Sequence, residues 1–339
     1  MTQKRIGFAC KWIDHAGQVD GIKATDPAKQ YNTGSTTVAW LKRQTRNTAE
    51  QKLWDLMKGN IESVRKLVTK VGEQDEHLRM VRISSDILPV YTEFSWKYFW
   101  QQPDVRAYAE KAFGQVGDIA RRNNVRLSMH PGQFTVLASD NPDIVERSIE
   151  EFEYHVDMAR WMGFGQRFQD FKINVHISGR QGPAGIKAVL PRLSPEARNC
   201  ITIENDEVSW GLDASLELAE DLALVLDIHH HWINTGEYIE ATDDRIKRVV
   251  DSWRGERPVL HYSVSREEHL TDHPVDTLPA LHALMESGHK KAKLRAHSNF
   301  YWNDAANDWA LSFWDQFDIM CESKAKNLAS FALYEHSKK

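Results

Sequence analysis

Short apolar runs, many of them rich in β-branched residues, alternate along the chain with longer segments of helical period. This alternation is typical of βα units arranged around a parallel sheet. Eight strands are predicted, at residues 5–10, 80–84, 125–130, 172–177, 200–204, 223–228, 259–263 and 317–322. Eight strand–helix repeats close most naturally into a (β/α)8 TIM barrel, so we expect an α/β fold with residues 1–339 in a single domain. An open doubly wound sheet is the alternative, but no glycine-rich phosphate loop follows the first strand.

The segments between the strands carry signals for helices and loops. Asn141 and Pro142 supply a polar cap and a first-turn proline to an amphipathic segment, and Gly163 predicts where that helix stops. A second apolar stripe predicts a helix that ends near Gly72. The residues around Pro195 have no helical pattern, so we expect an irregular approach to the fifth strand. Residues 264–307 predict a long loop over the barrel mouth, and such loops are usually functional or mobile.

The amino-acid composition indicates a globular protein rather than a membrane-spanning, secreted or disulfide-bonded one. The hydrophobic and charged fractions, 41% and 27%, are ordinary for a globular chain with a sizeable core. No apolar run reaches the roughly 18 residues that a membrane span needs, and the amino-terminal segment lacks the apolar part of a secretory signal. The three cysteines lie in or beside apolar runs, which favours buried thiols over disulfides. We therefore expect a cytoplasmic protein without membrane contact.

Net charge leaves nucleic-acid binding open. The formal charge of −5 gives no global signal for a polyanionic partner. A dense carboxylate centre would nevertheless hide a local basic groove from this total. The lysines and arginines near the amino terminus are scattered, which is typical of a solvated face.

The predicted strands share a feature at their carboxyl ends, where an apolar run stops at a side chain of the kind that binds metals. A single case would be an ordinary core histidine or a solvated carboxylate, but a repeated one favours a shared metal centre. In a (β/α)8 barrel these ends meet at one mouth, where active sites form. Imidazoles and carboxylates suit divalent zinc or manganese. The strand-end residues are His130, His176, Glu204, Asp227, His261 and Glu322.

The number of these ligands indicates more than one ion. Together with a histidine of the run DIHHH they exceed the four or so ligands of a single metal, so two or three ions with Glu204 as a bridge are expected. Neighbouring ions stabilise the attacking and leaving oxygens of a phosphoryl displacement, which makes phosphodiester hydrolysis the leading reaction class. Spacing alone leaves open whether His229 or His230 supplies the ligand.

The motifs RIGFAC, RISSDILP, RLSMHPGQF, VHISG, IENDE, DIHHHWIN, LHYS and DIMCESKAK, in this order, resemble the UV damage endonuclease family, which is related to the endonuclease IV barrels. The resemblance covers almost the whole chain. It implies a TIM barrel that holds up to three divalent ions, usually manganese, with zinc and magnesium as alternatives. It also implies a DNA-associated monomer that nicks damaged duplex DNA immediately 5′ of UV photoproducts and leaves a 3′ hydroxyl.

Matched to the family motifs, the ligands fall on the strand-end residues, with His230 selected from the DIHHH run. Glu204, Asp227, His261 and Glu322 correspond to the central catalytic site. A further ligand in the loop after the seventh strand matches His297, with His273 as the competitor. Glu93 stands where the family usually has a histidine ligand. The pair that probes the duplex beside the lesion matches Gln133 and Phe134, where phenylalanine replaces a tyrosine and keeps its stacking face.

Other positions depart from the family pattern. A lysine that often lies two residues before the seventh-strand histidine, and is modified in some members, is here Val259. A tyrosine and an asparagine that help to hold the flipped lesion match Phe8 and Trp12, so a broader range of lesions is expected. The aromatic loop 91–100 either stacks on extruded bases or forms a hydrophobic lid.

Two other functions stay open, a metal-dependent TIM-barrel sugar isomerase or epimerase and a homologue that binds damaged DNA without cleaving it.

Overall fold

A computed structural model, which describes residues 3–339, shows a closed barrel of eight parallel strands in chain order. Each strand pairs with the next, and the eighth pairs with the first. The (β/α)8 prediction is confirmed, and each predicted strand agrees with the observed one to within two residues. The strands are β1 (Ile6–Ala9), β2 (Met80–Arg82), β3 (Arg126–Met129), β4 (Lys172–His176), β5 (Ile201–Glu204), β6 (Ala223–Asp227), β7 (Val259–Tyr262) and β8 (Asp318–Cys321).

The strands are connected by fourteen α-helices within the described residues. Five short 3-10 helices lie at Ala16–Gln18, Pro27–Tyr31, Glu76–Leu78, Leu190–Arg192 and Glu267–His269. None of the described helices is both long and apolar enough to cross a membrane. The α-helices are α1 (Val38–Lys42), α2 (Arg46–Gly72), α3 (Lys97–Trp100), α4 (Pro103–Arg122), α5 (Pro142–Trp161), α6 (Gly182–Val189), α7 (Pro195–Cys200), α8 (Leu212–Leu216), α9 (Ile228–Thr235), α10 (Asp244–Asp251), α11 (Leu281–Glu286), α12 (Lys291–Leu294), α13 (Asp304–Leu311) and α14 (Lys326–His336).

The helix signals read from the sequence are confirmed at α2 and α5. The Asn141 side chain accepts a hydrogen bond from the Asp143 backbone N–H and so caps α5, and Pro142 occupies the first turn. Beyond the last turn Gly163 has a φ of 81°, a left-handed conformation that glycine adopts without steric cost. Helix α2 ends at Gly72, and its predicted apolar stripe is buried.

Two loop predictions are wrong in part. Residues 195–200 form helix α7, because Ser194 caps it by accepting a hydrogen bond from the Ala197 backbone N–H, and Pro195 suits its first turn. The segment 264–307 contains a 3-10 helix, α11, α12 and the start of α13. It folds because Leu270, Leu281 and Leu294 are buried with residues of α9.

The barrel interior changes from ionic to apolar to polar along its axis. At the amino-terminal end, the buried Asp318 carboxylate accepts hydrogen bonds from Arg126 and Arg257 and from the Arg5 backbone N–H. Above it, Val259 and Met320 pack in an apolar cluster that also contains Met80, Val225 and Trp253. The side chains of the kind that binds metals lie two residues further along the strands, on the same inward face and at the carboxyl ends. All three cysteines are free thiols.

Candidate metal centre

Strand register brings the strand-end ligands to one level. His176 lies opposite Glu204 in the β4–β5 pair, and Asp227 lies opposite His261 in the β6–β7 pair. All four are at or near the carboxyl end of their strand, so their side chains converge at the mouth of the barrel. Helix α9 begins directly after Asp227 and carries His230 on its first turn.

Glu204 is the centre of the cluster. This fully buried carboxylate lies 3.0 Å from His261 Nδ1, 3.3 Å from His130 Nε2 and 3.6 Å from His230 Nδ1. His261 Nδ1 also lies 3.2 Å from the Glu322 carboxylate. One carboxylate therefore contacts ligands from three other elements of the barrel.

The ligand atoms form two groups that could each hold an ion. His130, His176 and Glu204 make one, and Glu204, Asp227 and His261 make the other, with the ligand atoms of each group within 4.8 Å of one another. Because both groups include Glu204, the arrangement suits an anionic ligand shared by neighbouring cations.

Backbone carbonyls fix the orientation of three imidazoles. The Nδ1 atoms of His130, His230 and His297 lie 2.8, 3.0 and 2.6 Å from the carbonyl oxygens of Pro131, Asn205 and Glu322. A carbonyl only accepts hydrogen bonds, so each Nδ1 carries a proton, and in the neutral imidazole Nε2 keeps its lone pair. A neutral imidazole with a free Nε2 is the form that binds a metal.

The unpartnered atoms of the cluster also fit cations. Asp227 Oδ1 accepts a hydrogen bond from the His230 backbone N–H, but Asp227 Oδ2 is buried without a partner, as is His176 Nδ1. A buried carboxylate oxygen and a buried imidazole nitrogen are costly to leave unpaired, and both are electron-pair donors. Divalent ions would satisfy both atoms.

The ionisation of the carboxylates reflects their crowding. Burial and the neighbouring Glu204 and Glu322 carboxylates raise the pKa of Asp227 well above its usual range, against the opposing effect of His230. Burial alone would also raise the pKa of Glu204, but the imidazoles of His261, His176 and His130 hold it well below its usual range. Three carboxylates in one buried site need positive charge nearby if all are to be ionised.

The surroundings shift the pKa values of two imidazoles in opposite directions. Burial lowers the pKa of His261 to about 4. Burial also disfavours the charged form of His230, but Asp227, Glu204 and Glu207 raise its pKa to about 10. The carboxylates around His230 therefore create a negative environment that favours a cation at this position.

Three polar side chains below the ligands were missed by the sequence reasoning. Lys172 is buried, its Nζ lies 3.1 Å from His261 Nε2, and burial lowers its pKa to about 7. Asn174 donates a hydrogen bond to Glu204, and Arg82 forms an ion pair with Glu322. Such partners orient metal ligands and tune their basicity. The signal was present in the run KINVH, since Lys172, Asn174 and His176 share one face of a strand.

Two ligands inferred from the family resemblance lie in different settings. His297 lies at the mouth, where it hydrogen-bonds to the Glu322 backbone carbonyl. Its competitor His273 is held within its own loop, with Nε2 2.8 Å from the Thr277 carbonyl oxygen. The structure does not bring Glu93 into either group of ligand atoms. Glu93 lies in a turn, where its carbonyl accepts hydrogen bonds from Trp96 and Lys97.

The HPGQF loop projects from the mouth beside the ligands. Gln133 and Phe134 occupy the tip of a turn, and the phenyl ring of Phe134 is 85% exposed. A cavity of about 180 Å³ lies between this loop and the His130–His176 side of the cluster. An exposed phenylalanine on a tight turn is available to stack on a base.

The expectation for Phe8 and Trp12 is not met by their surroundings. Phe8 is 1% exposed and Trp12 is 6% exposed, and their rings pack edge to face with centroids 5.9 Å apart. Both belong to the hydrophobic core, so little of either ring is accessible to a flipped nucleotide. Both residues are apolar because they pack in the core. The match to the family motifs did not reveal this burial.

The aromatic loop 91–100 is mostly a packed lid. Trp96, Phe99 and Trp100 are buried, and Tyr91 stacks on Tyr154 with centroids 4.6 Å apart. Among the aromatic residues of this loop, only Phe94 is highly exposed, at 88%. The stacking alternative therefore concerns at most this one ring.

The fold and the cluster define a (β/α)8 barrel with a histidine–carboxylate centre at its carboxyl-terminal mouth. The family model described as UV-endonuclease UvdE matches residues 5–339. Among curated proteins, the chain is 24% identical over 311 residues to a UV DNA damage endonuclease of Bacillus cereus, covering 88% of this chain and 87% of that protein. It is 27% identical over 300 residues to a UV-damage endonuclease of Schizosaccharomyces pombe, covering 82% of this chain and 45% of that protein.

Solved structures share the fold. The crystal structure of SacUVDE superposes with a TM-score of 0.73 at 20% identity and covers 99% of each chain. Endonuclease IV from Thermus thermophilus superposes with a TM-score of 0.50 at 14% identity and covers 82% of this chain and 94% of that one. This chain belongs to the UV-endonuclease UvdE family. The membership leaves the sugar isomerase alternative without support.

Proposed function

We propose that this protein is a metal-dependent DNA repair endonuclease that nicks duplex DNA immediately 5′ of UV photoproducts. The observation that carries the proposal is the pair of ligand groups that share the buried carboxylate of Glu204. Family membership supplies the substrate class, and the two groups supply a site for the chemistry. The intact cluster also argues against a homologue that binds damaged DNA without cleaving it.

Each part of the cluster has a role in holding ions. One ion would be held by His130, His176 and Glu204, and a central one by Glu204, Asp227, His261 and Glu322. His230 and His297 would hold a third. Manganese is favoured, with zinc and magnesium as alternatives. Bound divalent ions activate water and neutralise charge on the phosphate that is cleaved.

The protein's own side chains prepare this site. Asn174 fixes Glu204 and Arg82 fixes Glu322, so the carboxylates are held in place before substrate binds. Backbone carbonyls fix Nδ1 of three imidazoles, which leaves Nε2 as the atom that would bind an ion. No step then requires these side chains to reorganise, which is the condition for electrostatic stabilisation of a developing charge.

The substrate would lie across the mouth as a damaged duplex. Gln133 and Phe134 would enter the helix beside the lesion and favour extrusion of the damaged bases, which costs less where damage has already weakened stacking. Because stacking has little chemical selectivity, lesions other than pyrimidine dimers, such as abasic sites, would also be cut. A monomer provides every residue in this description.

Incision mapping tests the proposed function. Labelled duplexes with a thymine dimer, a 6-4 photoproduct, an abasic site or no damage are incubated with the protein and manganese, and the products are sized. We expect a single cut immediately 5′ of each lesion that leaves a 3′ hydroxyl. Equal cutting of damaged and undamaged duplexes, or no cutting of any, would contradict the proposal.

The double variant Gln133→Ala with Phe134→Ala is expected to lose lesion incision by about ten- to a hundredfold, since stacking is typically worth about 1–3 kcal/mol per base. Metal content should be unchanged, because neither side chain belongs to the ligand groups. The control is Tyr108→Ala, which removes an exposed aromatic ring from the outer helix α4. Loss of bound metal in the double variant, or an equal loss of activity in the control, would count against the wedge.

A further inference from the structure

Residues 290–295, the sequence KKAKLR, form a basic segment with four cations in six residues. The whole chain has a net charge of −5, so the segment is a local exception. Lys290, Lys293 and Arg295 are exposed. Of the four cations, only Arg295 forms an ion pair within residues 3–339, with Glu207 at 3.3 Å. The two exposed lysines are therefore free to meet an anionic partner.

The basic segment is held in a defined place. Its helix α12 is anchored by Leu294, which is fully buried in a cluster with Trp232, Leu270 and Leu281. The backbone N–H of Arg266 donates a hydrogen bond to the Ala296 carbonyl at 3.1 Å, directly after the segment. The lysines thus project from an ordered backbone, and binding does not have to order a flexible loop.

The segment lies at the rim of the metal centre. Two residues beyond it, His297 hydrogen-bonds to the Glu322 backbone carbonyl. Arg295 contacts Glu207, whose other carboxylate oxygen lies 3.7 Å from His230 Nε2. The backbone N–H of Lys324 donates to the Ser298 carbonyl at 3.0 Å, so the loop after β8 lies alongside.

Barrel topology places this rim across from the HPGQF loop. The basic segment belongs to the connection after β7, and Phe134 belongs to the connection after β3. In a closed barrel of eight strands in chain order, β3 and β7 lie four strands apart and face each other across the axis. A rod-shaped ligand laid over the mouth would touch both connections.

We propose that the basic segment is a clamp for the phosphate backbone of duplex DNA, on the side of the mouth opposite Phe134; this inference rests on the proposed function. Runs of positive charge are often only solvated, but the two exposed lysines of this one are unpaired within residues 3–339, ordered and adjacent to the site. Phosphate contacts by lysine release counterions and fix the position of a duplex without reading its sequence. The clamp would hold the DNA while the wedge tests each step for damage.

The test compares wild-type protein with the variant Lys290→Gln plus Lys293→Gln. Binding is measured by fluorescence anisotropy on an undamaged duplex, which is not consumed, in manganese buffer from about 50 to 200 mM salt. Loss of two phosphate contacts should reduce the slope of log affinity against log salt by about 1.8, because each contact contributes about 0.9. Incision of a thymine-dimer duplex should show a raised KM and an unchanged kcat.

The control variant is Lys111→Gln plus Lys247→Gln, which makes the same change in net charge on exposed positions of the outer helices α4 and α10. Its salt slope should equal that of the wild type. An unchanged slope in the Lys290–Lys293 variant, or an equal change in the control, would overturn the clamp while wild-type incision still supports the proposed function. Absence of wild-type incision at the lesion would instead overturn the proposed function.

Discussion

Replacing Glu204 by glutamine is expected to abolish incision and to leave the fold intact. Glutamine keeps the shape of the side chain but removes the negative charge that both ligand groups share. Partners that only orient metal ligands are typically worth about 10- to 100-fold in affinity or activity, and a shared ligand should exceed that range. We therefore expect the incision rate on a lesion duplex to fall by more than about a hundredfold.

Metal content and stability should be measured on the same sample. Fewer ions per chain are expected in Glu204→Gln, with a circular dichroism spectrum like that of the wild type. Glu196→Gln is the control, since this carboxylate lies in α7, which leads into the amino-terminal end of β5, and pairs with Arg160 rather than with a ligand. Wild-type incision with unchanged metal content in Glu204→Gln would remove Glu204 from the centre.

Replacing Asp318 by asparagine is expected to lower the free energy of unfolding strongly. Its fully buried carboxylate lies among Arg5, Arg126 and Arg257, with hydrogen bonds of 2.7 Å from the two latter guanidinium groups. Asparagine would leave these cations without a counter-charge at the closed end of the barrel. Breaking a buried ion pair by removing one partner typically costs about 3–5 kcal/mol, and we expect the free energy of unfolding to fall by about 3 kcal/mol, since the arginines are partly exposed.

Chemical denaturation of Asp318→Asn and Asp315→Asn measures this difference. Asp315 lies three residues earlier, is 83% exposed and pairs with Lys4 on the surface. Exposed ion pairs are worth about 0–1 kcal/mol, so the control should unfold close to the wild-type midpoint. Equal midpoints for the two variants would show that the arginines do not depend on Asp318.

The fold could be predicted because its signals are local. Each strand is an apolar run with a polar boundary, and each long helix carries a stripe and a cap, as at Asn141. The convergence of the strand-end side chains could be predicted for the same reason, since the carboxyl ends of parallel strands in a barrel must meet. Helix α7 was not predicted, because a short helix depends on one cap, Ser194, rather than on a long repeat of apolar residues.

The remaining parts of the site depend on contacts between distant residues. Val259 occupies an apolar layer, and the buried amine beside His261 comes instead from Lys172, 89 positions away in the chain. The sequence of neither strand alone indicates that a lysine of β4 takes the place expected for a lysine of β7. Burial of Phe8 and Trp12 likewise depends on which helices cover them. A motif match identifies a position in the chain, but only packing decides whether its side chain reaches the mouth.

The dependence of incision on divalent ions shows whether the buried cluster is a catalytic metal centre. A labelled, UV-irradiated duplex is incubated with protein that has been treated with chelator, with and without added manganese, and metal per chain is determined on the same sample. We expect no cutting after chelation, and restored cutting beside photoproducts, with two or three ions per chain, once manganese returns. Full incision by protein shown to be free of metal would contradict this expectation.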